Sequence, residues 1–244
     1  MNKVIETIKS HRSIRKFTKE HIPSTILQEI FDAARYASTS SFVQAYHIIR
    51  ITDTTKRHAI YELSGEQPYI NMAPEFLVFC ADLHKLNHAC ELHGEKMDDG
   101  YMESMIVATV DASLVAQNLM LAAESFDLGG VYIGGLRNNI AKVSQLLNLP
   151  KHVYPLFGMC LGYPEQNPQT KPRMDISLIL SENGYDAIDA EKLSQYDETV
   201  KNYYFERTHG KINHTWTEQM SEKMKNETRP FMLNYLQKQG FARK

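Results

Sequence analysis

The chain has 244 residues, a formal net charge of −2 and 43% apolar residues, enough to bury the core of one large domain or two small ones. Charged residues make up 23% with both signs mixed, which argues against bulk nucleic-acid binding or attraction to a membrane surface. Three cysteines, Cys80, Cys90 and Cys160, form no CxxC pair and are odd in number, as expected of reduced thiols, two of them inside apolar runs.

The opening "MNKVIETIKSH" has no apolar signal-peptide core, and no apolar run reaches 18 residues without polar interruption. A cytoplasmic protein with no membrane span is therefore expected. Residues 2–10 read as a short helix that leads into "HRSIRKF", where His11, Arg12, Arg15 and Lys16 crowd around Ser13. The next segment, "STILQEIFDAARYA", has helical apolar spacing, with Thr25 and Gln28 in a capping-box relation and Pro23 just ahead. Residues 47–52 and 75–83 read as strands, the second apolar enough to be central. "LHKLNHACELH" reads as a polar loop. It brings His84, His88, Cys90 and His93 close together without a strict ligand spacing, so no metal is expected.

Residues 104–130 read as one long helix stopped by Gly129 and Gly130. Its apolar residues circle most of the helix, which predicts burial nearly all round, in the core or against a second subunit. A short strand at 130–135, a helix over 139–150 and an apolar strand at 153–164 follow. Beyond Pro164 the chain is irregular through "PEQNPQTKPR", then "ISLIL" reads as a strand and 189–206 and 215–226 as helices. No repeat or clean linker divides the chain, so one domain with a helical tail is expected.

The glycine-rich "LGGVYIGGLRNN" fits neither GxxxxGK[ST] nor GxGxxG, which disfavours a P-loop or Rossmann site. Its plainer reading is a helix stop and a strand with small residues. Its functional reading is that Gly134 and Gly135 let the backbone approach a flat ligand. In Lys171-Pro172-Arg173 the proline favours an extended chain, in which residues two apart share a side and reach one anion. "HRSIR" repeats the pattern of cations around a hydroxyl, suited to a phosphate. At an effective dielectric near 20, a cation about 4 Å from a phosphate charge contributes on the order of 4 kcal/mol before desolvation. A solvated basic loop is the plainer reading of each. No GxSxG supports a hydrolase, and Tyr203, Tyr204 and Trp216 read as packing residues.

In order and spacing, "HRSIRKF", "TSSFVQ" (39–44), Gln67 in "SGEQ", "GGVYIGGLRNN", "PLFGMCLGYP", "KPR" and the tail "TRPFMLNYLQKQG" resemble the oxygen-insensitive NADPH nitroreductases, and among them the nitroreductase A and NADPH–flavin reductase branch. The resemblance implies an α+β, three-layer fold: a mainly antiparallel sheet flanked by helices, in an intertwined homodimer with FMN at each of two interfaces. It implies one domain over 1–244, with a helical extension at about 185–244 that packs on or wraps the partner.

By the same resemblance, His11, Arg12, Ser13, Lys171 and Arg173 would meet the FMN phosphate, and Arg15 would lie near the ribityl chain and the N1/O2 edge. Thr39, Ser40, Ser41 and Gln44 match a segment that contacts flavin from the other subunit. Gln67 would meet the ring's polar edge, and the backbone of Tyr132, Ile133, Gly134 and Gly135 would lie at its N5 side. The implied reaction is two-electron, ping-pong hydride transfer from NADPH (NADH being possible) to nitroaromatics, quinones or free flavin. It is carried by the cofactor with no catalytic side chain and no metal. Arg207 matches a position that grips the 2′-phosphate of NADPH. Lys211 is the nearby cation where relatives carry further arginine near Ile212 and Asn213. A non-catalytic flavin carrier or a phospho-ligand sensor is the alternative.

Overall fold

Among residues 2–244, which the computed structural model describes, four strands pair into one antiparallel sheet: β1 (Tyr46–Arg50), β2 (Glu75–Asp82), β3 (Gly129–Ile133) and β4 (Val153–Gly162), in the order β1-β2-β4-β3. Every residue of β2 is buried, because each face of the sheet is covered. Phe76, Val78 and Cys80 enter one apolar cluster with Val131, Ile133 and Cys160, while Leu77 and Phe79 enter another with Met159 and Leu161. That alternation is the two-residue period of a strand. The β2–β4 register shifts between Phe79 and Cys80, which face Phe157 and Pro155. Pro155 has no N–H to give the ladder, so it sits at this irregularity.

The helices of this first unit are α1 (Lys3–Ser10), α2 (Ser24–Ala34), α3 (Thr54–Leu63), α4 (Tyr69–Met72), α5 (His84–Leu92), α6 (Met102–Ser125) and α7 (Ile140–Leu146). Leu27 and Ile30 of α2 and Val115, Leu119 and Met120 of α6 cover one sheet face; Ile60 of α3 and Val143 of α7 help cover the other. Burial of each such side chain contributes about 1.5–3 kcal/mol. The unit comprises residues up to 168 together with 229–244. Chain continuity numbers the helices of the second unit, residues 169–228, as α8 (Ala190–Arg207) and α9 (Trp216–Met224). The returning α10 (Met232–Gln239) brings Tyr235 into a third apolar cluster of the first unit, with Phe241 behind it.

Several expectations need correction. No capping box forms at α2: Pro23 occupies the N-cap with φ −54° and no side-chain cap, which leaves Thr25 inside the helix. The long helix stops at Ser125, with Asp127 at φ 59°, and Gly129 and Gly130 open β3 instead. A Cβ on Gly129 would fall 2.5 Å from Ile14 Cγ1, so its bareness serves a tertiary contact rather than a helix stop. Residues 84–92 are helical, not a loop: Leu83 is the N-cap without a side-chain cap, and the Asp82 carboxylate just ahead accepts from His84 N, an otherwise unsatisfied donor of the first turn, at 2.8 Å. "ISLIL" is a 3₁₀ turn at Ile176–Leu178, nucleated where Asp175 accepts from Ser177 N at 3.0 Å. The helix expected over 139–150 is confined to α7.

The long helix α6 is not buried all round. Met102, Ile106, Val110 and Leu114 are 45, 49, 47 and 42% exposed, and their spacing of four places them along one side. By length and composition alone α6 is apolar enough to cross a membrane, yet its opposite side packs on the sheet.

Candidate functional site

After α1 the backbone becomes extended at His11 and the segment docks alongside β3 and β4: Ile14 N donates to Gly130 O and Thr18 N to Tyr163 O, both at 2.9 Å. Phe17 bridges Pro164, and the side chains of Ile14 and Phe17 are buried. Arg12, Ser13 and Arg15 are left half-buried. His11 Nδ1 is paired with Glu124 Oε1 of α6 at 2.5 Å, whereas Arg12 and Arg15 meet no carboxylate within pairing distance among the described residues. Arg12 lines a cavity of about 160 Å³ with Ile14, Gly129 and Pro164, whose wall also carries Glu124 and Asp127. A guanidinium that is partly desolvated and unpaired is an anion-seeking group.

The segment 39–45 is held in an unusual shape. Ser41, Phe42 and Gln44 have φ values of 44°, 60° and 53°, left-handed conformations that cost about 1–3 kcal/mol each. Both ends of the segment are tied to one side chain: Ser40 N donates to Asp111 Oδ1 and Ala45 N to Asp111 Oδ2, each at 3.0 Å. Asp111 lies on α6 and is fully buried. Thr39 Oγ1 is buried without a hydrogen-bond partner, and Phe42 is 81% exposed.

At the end of β3 the Tyr132 side chain is committed to α6, its hydroxyl donating to Ala116 O at 3.1 Å, and burial pushes its phenol pKa up. Ile133 is buried in the core. Gly135 has an internal packing reason, since a Cβ there would fall 2.3 Å from Ser64 O and 2.5 Å from Gln67 Nε2. Gly134 has little: its Cβ would approach only the end of the Arg137 guanidinium, at 3.3 Å. Gln67 is engaged within its own turn, donating to Ser64 O at 3.0 Å and accepting from Tyr69. Arg229 donates to Asn138 Oδ1 at 2.8 Å and to Gly134 O at 3.4 Å. Burial, and then the charge of Arg229, hold the Arg137 guanidinium below its ordinary pKa.

In the second unit, exposed Lys171 and Arg173 line a cavity of about 240 Å³ with Tyr196, Tyr203, Tyr204 and Trp216. The aromatics pack on one another, Tyr196 with Trp216 at 6.1 Å and Tyr203 edge-on to Tyr204 at 5.2 Å between ring centres. Neither Lys171 nor Arg173 has a carboxylate partner among the described residues. Arg207 is held against Tyr203, donating to its hydroxyl at 2.9 Å, and Lys211 is exposed beyond it.

Within the first unit α6 gathers three of the expected segments. Glu124 holds His11, the Ala116–Gln117 step holds Tyr132, and Asp111 holds the 39–45 segment, over about 20 Å of helix. Asp111, Glu124 and Arg229 are the residues that sequence reasoning missed. The two acids had a signal, being the charges inside an otherwise apolar helix after Glu103. In the first unit, Arg12 and Arg15, with no carboxylate partner among the described residues, and Gly134, with little packing reason, have the chemistry to suit a phosphate and a flat ring such as those of FMN. Among the described residues no three His, Cys, Asp or Glu side chains gather to hold a metal ion. The three cysteines are free, and burial pushes the Cys80 and Cys160 thiols up to about 12.

An antiparallel sheet between two helical layers, with half-buried arginines held beside its outer strand β3, defines an α+β protein. Family models for the nitroreductase family and for the C-terminal domain of the nitroreductase family match residues 8–163 and 171–244. The chain belongs to the nitroreductase family. It is 45% identical to the oxygen-insensitive NADPH nitroreductase of Salmonella typhimurium over 99% of both chains. Among solved structures it is similar to nitroreductase A from Vibrio parahaemolyticus, with a TM-score of 0.93 and 42% identity over 100% of both chains. It is also similar to the NADPH:FMN oxidoreductase of Vibrio harveyi complexed with NAD+, with a TM-score of 0.92 and 41% identity over 100% of both chains.

Proposed function

We propose that the protein is an FMN-dependent oxidoreductase that draws electrons from NADPH, NADH being possible, and delivers them in pairs to nitroaromatics, quinones or free flavin. The observation that carries this reading is the docked segment after α1, which holds Arg12 and Arg15 half-buried and without a carboxylate partner. The names of the similar proteins, an NADPH nitroreductase and an NADPH:FMN oxidoreductase, support the choice of donor and cofactor.

When bound, FMN supplies the redox chemistry, accepting a hydride from the reduced nicotinamide and returning two electrons to the oxidant. The chain's own residues bind and orient. His11, Arg12 and Ser13 are assigned to the phosphate, with Lys171 and Arg173 carrying the same assignment from the sequence pattern, and Arg15 to the N1/O2 edge. Thr39, Ser40, Ser41 and Gln44 are assigned to the flavin from the other subunit, and Gln67 to the ring's polar edge. The backbone from Tyr132 to Gly135 is assigned to its N5 side, where Gly134 would permit the close approach. Arg207, braced by Tyr203, and Lys211 are assigned to the 2′-phosphate of NADPH. The exposed apolar side of α6 supports a homodimer as the working assembly.

Anaerobic mixing tests the reading. The yellow FMN-loaded protein should bleach with NADPH and regain its colour when a quinone or nitroaromatic is added. Protein that takes up no FMN, or whose colour persists under NADPH as in a mere carrier, overturns it. Repeating the titration with NADH gives the donor preference.

A further inference from the structure

We infer that Asp111 is a positioning residue: its buried carboxylate holds segment 39–45 in the shape that receives FMN, without touching the ligand. The inference rests on the proposed FMN reading. Asp111 is fully buried on a helix whose neighbouring residues Ala108, Ala112 and Val115 are apolar, and no cation pairs with it among the described residues. Its two oxygens are each used once, one for Ser40 N and the other for Ala45 N, both at 3.0 Å. The two bonds clamp the ends of a segment whose interior contains three left-handed, non-glycine residues. Such a shape persists only where the surroundings over-determine it. Thr39 and Ser40, assigned to flavin contact across the subunits, stand at one clamp, and Gln44 stands beside the other. The buried Thr39 Oγ1, without a hydrogen-bond partner, lies next to the first clamp.

The chemistry demands a carboxylate because two N–H donors must be accepted at once. Asparagine offers one carbonyl oxygen and turns an NH₂ donor toward the second N–H, so one bond survives. Alanine leaves both donors unsatisfied. The expected order is therefore graded, with wild type best, Asp111→Asn intermediate and Asp111→Ala worst.

The test measures FMN affinity by flavin fluorescence on wild type, Asp111→Asn and Asp111→Ala, alongside melting temperature. It also follows the rate at which chymotrypsin cuts after Phe42, mapped by mass. The FMN dissociation constant should rise about tenfold in Asp111→Asn and further in Asp111→Ala. Cleavage after Phe42 should accelerate in the same order. Variants that melt earlier but bind FMN with wild-type affinity would reduce Asp111 to a structural tie and overturn the inference. Equal losses in both variants would overturn the two-bond account. If wild type itself binds no FMN, the proposed function fails instead, and the ligand-free cleavage then judges the clamp: unchanged rates at Phe42 sink it.

Discussion

The two basic segments carry similar charge but are built differently. Around Arg12 and Arg15 the chain is fastened by backbone hydrogen bonds to Gly130 and Tyr163, with Ile14 and Phe17 buried on either side. Lys171 and Arg173 stand exposed on a loop that is tied by the Tyr196 hydroxyl, donating to Pro172 O at 3.5 Å. A cation already held in place loses little freedom when an anion arrives, whereas a solvated one must be ordered at that moment. The first segment should therefore supply affinity and orientation, and the second a weaker, salt-sensitive attraction.

The largest effect is expected from undoing the fastening itself. In Gly129→Val a Cβ would overlap Ile14 Cγ1, 2.5 Å away, and also press on Pro164 Cγ at 3.1 Å. Overpacking of this kind costs about 1–3 kcal/mol and should lift the arginine segment off the sheet. Melting temperature and FMN content per chain should both fall. Full FMN content in this variant would break the comparison, because preorganisation of Arg12 and Arg15 would then be irrelevant.

A smaller effect separates the two segments directly. Arg12→Ala or Arg15→Ala should each raise the FMN dissociation constant about tenfold or more, as for loss of a charge-assisted, partly desolvated hydrogen bond. Lys171→Ala or Arg173→Ala should raise it no more than about fivefold, as for an exposed pair. Raising salt to about 1 M, where screening acts within about 3 Å, should erase the second loss and preserve most of the first. Equal losses with equal salt dependence would show that the exposed pair is as well held as the buried-edge one.

How far this was legible in the sequence depends on the range of the forces involved. The strands at 75–83 and 153–164 were readable because burial on both faces leaves an unbroken apolar run. The helix readings at 189–206 and 215–226 hold for similarly local reasons, such as Asp189 and Thr215 at the N-caps. Element ends were not readable where a distant residue decides them. Gly129 looks like a helix stop until Ile14 is seen to occupy the space its missing Cβ leaves. "ISLIL" has strand composition, yet Asp175 turns it. In the site, the cations around Ser13 announced themselves by clustering, but the Glu124 that engages His11 lies 113 residues away. Asp111 was missed although it is an acid in an otherwise apolar helix, because its partners are backbone N–H groups, which any non-proline residue presents.

The smallest predicted effect sharpens the comparison from within the exposed segment. Burial raises the Tyr196 phenol pKa, and the nearby Arg173 charge pulls it back. A cation stabilises the phenolate, so Arg173→Ala should move the Tyr196 titration to higher pH, read from tyrosinate absorbance with Tyr196→Phe as the reference. Saturating inorganic phosphate should move it the same way in wild type by neutralising Arg173, and should do nothing in Arg173→Ala. If Tyr196 titrates at the same pH in wild type and variant, Arg173 is solvated away from the aromatic cavity, and the exposed segment is looser still than its geometry indicates.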